Sequence, residues 1–244
     1  MIFNNYKLVD DFLEAIFPLP KRFGIIVGQR HYTSHDDVET DMDGDLFCLK
    51  TEIWGVDQSA SVMYGVSKIV ITSPNLNGVV IKIPFNGYFI LDEITRENYI
   101  WYPFKYASGT DCNDYCLTEF EKYQHLTMAK LNCFAAETEF YKEIDGVRIF
   151  LQEEVIPEND SCTIHNPSKR SKDLADKWYD EDKFKIEPEW IANCLDKYGE
   201  SKVENFLYYC TNIDEDILQD THGGNYGYRK DGTPCLLDFS GYND

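Results

Sequence analysis

Near its end the chain reads Asp220-Thr221-His222-Gly223-Gly224-Asn225, followed by Cys235-Leu236-Leu237-Asp238-Phe239-Ser240-Gly241. Between these stretches, residues 230–234 have the composition of a tight turn that joins two short strands, Tyr226–Arg229 and Pro234–Leu237. One hairpin would then carry an Asp and an Asn at its start and a second Asp at its end. Such a hairpin can bring one general base and two oxygen ligands to a divalent metal ion.

The two stretches resemble the catalytic and metal-binding segments of the protein-kinase-like fold. The Asp-x-His-x-Gly-Asn pattern is most similar to aminoglycoside-phosphotransferase-type kinases and to small bacteriophage-encoded kinases. This resemblance implies that Asp220 is the catalytic base, that Asn225 and Asp238 bind Mg²⁺, and that ATP is the phosphate donor. The chain departs from the family in two places: Ser240 replaces the Gly of Asp-Phe-Gly, and Leu218-Gln219 precedes Asp220 in place of His-Arg.

One lysine interrupts an apolar strand, Val79-Val80-Ile81-Lys82-Ile83. A buried strand tolerates an ammonium group only where something pairs with it. The family has a Val-Ala-Ile-Lys strand whose Lys binds the α- and β-phosphates, so the resemblance gives Lys82 this role. The alternative is a lysine on an edge strand that points to solvent.

The family pairs that lysine with a glutamate on a helix, and residues 114–132 are the best candidate for the helix. Glu119 precedes Tyr123 by four residues and Leu126 by seven, so it shares a face with the apolar side chains. Glu121 lies among polar neighbours instead. We therefore choose Glu119, with two ordinary solvated glutamates as the alternative.

The family covers the phosphates with a glycine-rich turn between its first two strands. We predict strands over Leu46–Trp54, Ser61–Ser67 and Val79–Phe85, with a hairpin turn at Asn86-Gly87. The first connector would place Gly55 and Ser59 at the phosphates. A plain hairpin connector is the alternative.

Residues 153–157 are predicted to form the hinge between two lobes, where the adenine would meet backbone groups of Glu153 to Val155. Lobes over residues 1–152 and 153–244 follow. Further helices are expected over residues 4–17, 173–179, 188–198 and 202–212, and the acidic segment 35–45 is expected to be a solvated loop.

The composition limits the partners. The net charge is −20, from 23 Lys and Arg against 43 Asp and Glu, which argues against binding to nucleic acid or anionic membranes. No apolar run reaches a membrane span of about 18 residues. The eight cysteines are scattered without a Cys-x-x-Cys pair, and the first residues lack a signal peptide, so reduced thiols and a cytoplasmic location are expected.

Together these features predict an α+β, bilobal, protein-kinase-like fold with a β-rich N-lobe and a helical C-lobe. The C-lobe is expected to be shortened, because Asp244 follows Asp238 by only six residues. The expected function is an ATP- and magnesium-dependent protein Ser/Thr kinase of bacteriophage type, acting in a host cytoplasm. The alternatives are a small-molecule hydroxyl kinase and a pseudokinase-like protein that binds and inhibits a host target. The sequence does not indicate an oligomeric state.

Overall fold

The chain divides into two compact units, which are described separately. The first unit comprises residues 1–117 and 139–152, and the second comprises residues 118–138 and 153–244. The computed structural model describes residues 5–17, 26–32, 38–41, 51–64, 68–89, 98–103, 114–144, 146–160, 166–179, 186–218 and 223–239. Residues 118–138 therefore belong to the second unit, whereas the predicted first lobe includes them.

The first unit contains one eight-stranded sheet with a helix packed against it. Its strands are β1 (Ile26–Tyr32), β2 (Val38–Asp41), β3 (Ser61–Tyr64), β4 (Lys68–Thr72), β5 (Val79–Phe89), β6 (Asn98–Pro103), β7 (Thr138–Ile144) and β8 (Val147–Glu153). The order is β2-β1-β6-β5-β4-β3, and β8 pairs with both β5 and β7. The pairs along this order are antiparallel.

Strand β5 is the centre of this sheet because it pairs with different partners along its length. Residues 80–84 pair with β4, and residues 85–89 pair with β6. The predicted turn at Asn86-Gly87 is wrong. Both residues continue the strand, since β6 supplies backbone partners for them at Tyr102 and Trp101.

Helix α1 (Tyr6–Ile16) covers the apolar face of the sheet. The helix predicted over residues 4–17 is confirmed over residues 6–16. Its inward side chains recur every three or four residues, as a helical stripe requires. They are Val9, Phe12, Leu13 and Ile16, which pack with the inward residues of β4, β5 and β8.

Two further predictions for the first unit need correction. Residues 51–56 are helical, so the predicted strand is wrong over 51–54, while residues 46–50 lie outside the described residues. Ile53 and Val56, three residues apart, pack on the core, which favours a helical turn over alternation. The predicted loop at 35–45 is wrong over β2, which pairs with β1. Strands β1, β4 and β7 were not predicted.

The second unit combines helices with a small antiparallel sheet. Its helices are α2 (Tyr115–Met128, from residue 118 onward), α3 (Lys169–Trp178), α4 (Pro188–Tyr198) and α5 (Glu200–Asn212). The sheet has the order β11-β10-β9, with β9 (Ile156–Pro157), β10 (Tyr226–Tyr228) and β11 (Pro234–Leu236). The mixture of helices and antiparallel strands agrees with the α+β class.

Local signals explain where these helices begin and end. Pro188 opens α4 at its first turn, where a missing N–H is harmless. Gly199 separates α4 from α5 with φ of 82°, a conformation that favours glycine. Ser168 caps α3 by accepting a hydrogen bond from the Ser171 N–H. The helices pack around an apolar core that includes Trp190 and Phe206.

Candidate functional site

The hairpin predicted at the end of the chain is present as β10 and β11. Tyr226 pairs with Leu236 and Tyr228 with Pro234. The turn between them is closed by two backbone hydrogen bonds of 2.8 Å, from the Arg229 N–H to the Thr233 carbonyl and from the Gly232 N–H to the Arg229 carbonyl. Gly232 has φ of 79°, which explains a glycine at this place in the turn.

This hairpin brings the two predicted metal ligands together. The carbonyl oxygen of Asn225 accepts hydrogen bonds from the N–H groups of Leu237, at 2.9 Å, and Asp238, at 3.1 Å. Asn225 is only 7% exposed, and Asp238 is half-buried. The register of the hairpin thus makes direct neighbours of two residues that are thirteen positions apart in the sequence.

The donor chemistry of this pair fits Mg²⁺. An amide oxygen and a carboxylate are hard oxygen donors, and Mg²⁺ is commonly held by one or two protein groups while water and phosphate oxygens complete its shell. Among the described residues, no group of three or more His, Cys, Asp or Glu side chains could hold a metal ion. The predicted catalytic base, Asp220, lies outside the described residues.

Two glycines hold the start of the hairpin close to the segment that contains β9. A Cβ atom on Gly227 would collide with the backbone carbonyl of Ile156, which cannot move aside without breaking the strand pairing. A Cβ atom on Gly223 would come within 2.3 Å of the side-chain oxygen of Asn159, and the backbone N–H of Asn159 donates to the Gly223 carbonyl at 3.1 Å. The approach at Gly227 requires a residue without a side chain, whereas the Asn159 side chain can turn away from a Cβ at Gly223.

Glu153, one of the residues predicted to meet the adenine, is fixed by contacts within the second unit. Its N–H donates to the Glu137 carbonyl at 2.9 Å, so this amide is already engaged. Its carboxylate accepts from the Arg229 Nε at 2.8 Å. Val155 packs in a small apolar cluster with Ala136, Cys235 and Leu237. The adenine role of Glu153 and Val155 stays a prediction.

Arg229 connects this end of the hairpin to other segments by hydrogen bonds, and it was not identified from the sequence. Besides Glu153, its guanidinium donates to the backbone carbonyls of Cys133 and Ala135, each at 3.0 Å. These partners lie 76 to 96 residues away in the chain. No local pattern could have identified them, because only the fold brings these segments together.

Lys82 lies in the sheet of the first unit and is only 3% exposed. The neighbouring Ile81 and Ile83 are fully buried on the apolar face, so both faces of β5 are covered at this point. A solvent-facing lysine on an edge strand, the alternative considered above, is therefore wrong. Lys82 takes part in interactions within the chain, and its phosphate-binding role stays a prediction.

The two glutamates of α2 differ as their helical spacing indicates. Glu119, which belongs to the second unit, is fully buried and has interactions within the chain. Glu121 is exposed. Burial of a carboxylate costs free energy unless a cation or hydrogen-bond donors stabilise its charge. Of the two glutamates, Glu119 is therefore the one whose charge must be stabilised by other groups.

Gly55 and Ser59, predicted to cover the phosphates, lie in a different setting from the expected turn. Gly55 is in the helical segment 51–56, and both residues are exposed. The hydroxyl of Ser59 donates to the Asp57 carboxylate at 2.6 Å, and its N–H donates to the same oxygen at 2.9 Å. Ser73 and Asn75 donate to the other carboxylate oxygen. These hydrogen bonds, the one from Ser59 above all, hold the pKa of Asp57 far below its usual value.

Comparisons of the chain with known protein families, with curated proteins and with solved structures found no match. Within the described parts of the chain, none of the helices has the length and apolar character that crossing a membrane requires. The five described cysteines, Cys116, Cys133, Cys194, Cys210 and Cys235, are free thiols.

Proposed function

We propose that this chain is an ATP- and magnesium-dependent phosphotransferase with a protein-kinase-like site. The observation that carries the proposal is the backbone hydrogen bond from the Asp238 N–H to the Asn225 carbonyl, at 3.1 Å, which makes neighbours of two residues whose side chains carry hard oxygen donors. The motif spacing that led to the prediction of a metal pair is thus matched by a hairpin register that makes the pair neighbours.

The proposed roles follow from the chemistry of each side chain. Asp220 orients the acceptor hydroxyl and removes its proton, and Asn225 and Asp238 hold Mg²⁺. When bound, this ion neutralises charge on the phosphate oxygens. Lys82 supplies a fixed positive charge for the phosphates, and Glu119 provides a carboxylate that steadies a lysine. Positioning and charge neutralisation contribute most of the catalysis in phosphoryl transfer.

The first choice of substrate is a Ser or Thr hydroxyl of a protein. The chain carries a net charge of −20, which favours encounter with basic partners and disfavours nucleic acid. A small-molecule hydroxyl is the second choice. A purely binding function, as a pseudokinase-like inhibitor, is favoured by one observation: Ser59 already donates its hydroxyl to Asp57 and Gly55 lies in a helical turn, so the expected phosphate-covering turn is not found there.

The test is transfer of labelled phosphate from ATP to proteins of a cell lysate in the presence of Mg²⁺. Asp220→Asn removes the base, whose assistance is worth about a hundred- to ten-thousand-fold, so transfer is expected to fall by about that factor while nucleotide affinity stays within about twofold. Lys82→Met keeps the apolar stem but removes the charge. It is expected to weaken nucleotide binding itself by about tenfold or more, since a charge-assisted hydrogen bond contributes about 1.5–3 kcal/mol.

Asp176→Asn, an exposed residue of α3, and Lys7→Met, an exposed residue of α1, are the matched controls and are expected to behave like the unchanged protein. Absence of transfer by the unchanged protein would contradict an enzyme and support the binding function.

A further inference from the structure

Two consecutive basic residues at the turn end of the hairpin pair with two consecutive acidic residues of segment 153–155, which is predicted to meet the adenine. Arg229 Nε lies 2.8 Å from the Glu153 carboxylate, and Lys230 Nζ lies 2.9 Å from the Glu154 carboxylate. The side chains of the first pair are 19% and 25% exposed, whereas Lys230 is 68% exposed. Because solvent weakens an exposed ion pair, the pair of Arg229 and Glu153 is the stronger of the two.

The register of β9 on β10 explains why these residues meet. In this antiparallel pair, Pro157 is opposite Gly227 and Ile156 is opposite Tyr228. The chain that precedes β9 therefore runs toward the turn of the hairpin, where both ion pairs lie. Since a strand cannot slip by one residue without turning its side chains to the other face, backbone pairing and the two ion pairs together fix where segment 153–155 lies along the hairpin.

The predicted metal ligands lie at the other end of the same strand. Asn225 directly precedes β10, and its carbonyl accepts from the N–H of Asp238 at 3.1 Å. Arg229 follows Asn225 by four residues, which span at most about 14 Å of extended chain. All of these residues belong to the second unit. Strand β10 therefore sets the separation between the metal pair and segment 153–155.

A fixed separation matters for a ligand with two different ends. A nucleoside triphosphate carries its base at one end and its metal-binding phosphates at the other. The Glu153 N–H already donates to the Glu137 carbonyl at 2.9 Å, so the base contacts of segment 153–155 fall to Glu154 and Val155. A segment held in place before binding leaves less ordering for the ligand to offset, and a small misplacement of reacting groups is costly in rate.

We infer that Arg229 is a positioning residue of the proposed nucleotide site. Through Glu153, it holds segment 153–155 at a set distance from Asn225 and Asp238, and the pair of Lys230 and Glu154 assists it. Arg229 itself does not touch the nucleotide. This inference rests on the proposed function, because it explains how that site matches the length of its nucleotide.

The test uses Glu153→Gln, which removes the charge that Arg229 pairs with and leaves the bonds of Arg229 to the Cys133 and Ala135 carbonyls in place. Titration calorimetry of the full chain compares Mg·ATP, adenosine, and magnesium with inorganic tripolyphosphate. The affinities for Mg·ATP and adenosine are expected to fall by about three- to tenfold, the cost of ordering a loosened segment. The affinity for tripolyphosphate is expected to stay within about twofold, because the metal pair is untouched.

Glu204→Gln is the matched control, since Glu204 is an exposed residue of α5 in the same unit. A charge swap at the more exposed pair gives an independent test that does not depend on the folding of Glu153→Gln. Glu154→Lys is expected to lower the adenosine affinity by about two- to threefold, and addition of Lys230→Glu is expected to restore it. Equal adenosine affinities in the single and double variants would contradict a positioning role for these ion pairs.

The outcomes separate the inference from the proposed function. Unchanged affinities for Mg·ATP and adenosine in Glu153→Gln would overturn the inference and leave the function intact. Equal losses for adenosine and tripolyphosphate would make the Arg229 pair a general stabilising contact and would overturn the inference alone. Mg·ATP binding no tighter than tripolyphosphate in the unchanged protein would remove the base contact while leaving the metal pair. Failure of the unchanged protein to bind Mg·ATP or tripolyphosphate would overturn the proposed function as well.

Discussion

The connector at residues 55–60 and the hairpin at residues 223–239 were both predicted to contact the phosphates or their metal, yet they are held in place in different ways. In the connector, one carboxylate, Asp57, collects hydrogen bonds from Ser59, Ser73 and Asn75 at the protein surface. In the hairpin, backbone hydrogen bonds and buried side chains fix the residues, and Arg229 joins three separate segments.

The difference bears on which region could hold a ligand with little change of structure. A site keeps its geometry when backbone pairing and packing fix its residues, because little ordering remains to be done on binding. Asn225 and Asp238 satisfy this condition. In the connector, Ser59 is exposed and its hydroxyl is committed to Asp57, so a phosphate would have to compete with an existing hydrogen bond. The hairpin is therefore the stronger candidate for a functional role.

The largest effect is expected at Gly227 of the hairpin. Gly227→Ala would force a Cβ atom into the backbone carbonyl of Ile156. Overpacking of a well-packed site typically costs about 1–3 kcal/mol, and we expect the upper end of this range because the colliding atom belongs to the backbone. Chemical unfolding of the two proteins, followed by circular dichroism, measures the loss of free energy.

Gly55→Ala of the connector is the counterpart of this substitution. No atom lies within 4 Å of a Cβ at Gly55, and the residue is helical. Alanine there should leave the free energy of unfolding unchanged or raise it by about 0.5 kcal/mol. A similar loss in both variants would break the distinction between the two regions. A lower affinity for Mg·ATP in Gly55→Ala would support the predicted role of the connector in covering the phosphates.

A smaller effect is expected at Asp57, and it should depend on pH. Asp57→Asn removes the charge that accepts four hydrogen bonds and should lower the free energy of unfolding by about 1 kcal/mol at pH 7. The pKa of Asp57 is depressed in the folded chain, chiefly by the Ser59 hydroxyl and then by Ser73 and Asn75. Its contribution is therefore full above the unfolded pKa of about 3.9 and is lost as the pH falls below it.

Unfolding measured between pH 7 and pH 2 should show the difference between the unchanged protein and Asp57→Asn shrinking below about pH 4. A difference that stays constant across this range would mean that the Asp57 charge does not hold the connector together.

The hairpin could be predicted from the sequence because its signals are local. Residues 230–233 supply the turn, short apolar runs flank it, and the observed strands differ from the predicted ones by one residue at Arg229 and one at Leu237. The helical turn at residues 51–56 could not be predicted in this way, because a short run such as Thr51–Val56 fits either a strand or a helical turn. Packing of Ile53 and Val56 on the core decided between them.

Some site residues could be found by pattern, and others depend on the fold. The burial of Lys82 and Glu119 follows from a charged residue inside an apolar strand and from helical spacing. Arg229 gave no comparable signal, because its partners are distant in sequence and only the fold brings them together.

The most direct test of the proposed metal pair is the stabilisation of the fold by ATP, measured by thermal unfolding with Mg²⁺ and with a chelator. A ligand present at a hundred times its Kd stabilises the native state by about 2.7 kcal/mol. We expect ATP to stabilise the unchanged protein more with Mg²⁺ than with the chelator, and we expect Asp238→Ala to abolish that difference. Asp231→Ala, in the turn of the same hairpin, should retain it. A metal-dependent difference that survives unchanged in Asp238→Ala would contradict the assignment of Asp238 as a magnesium ligand.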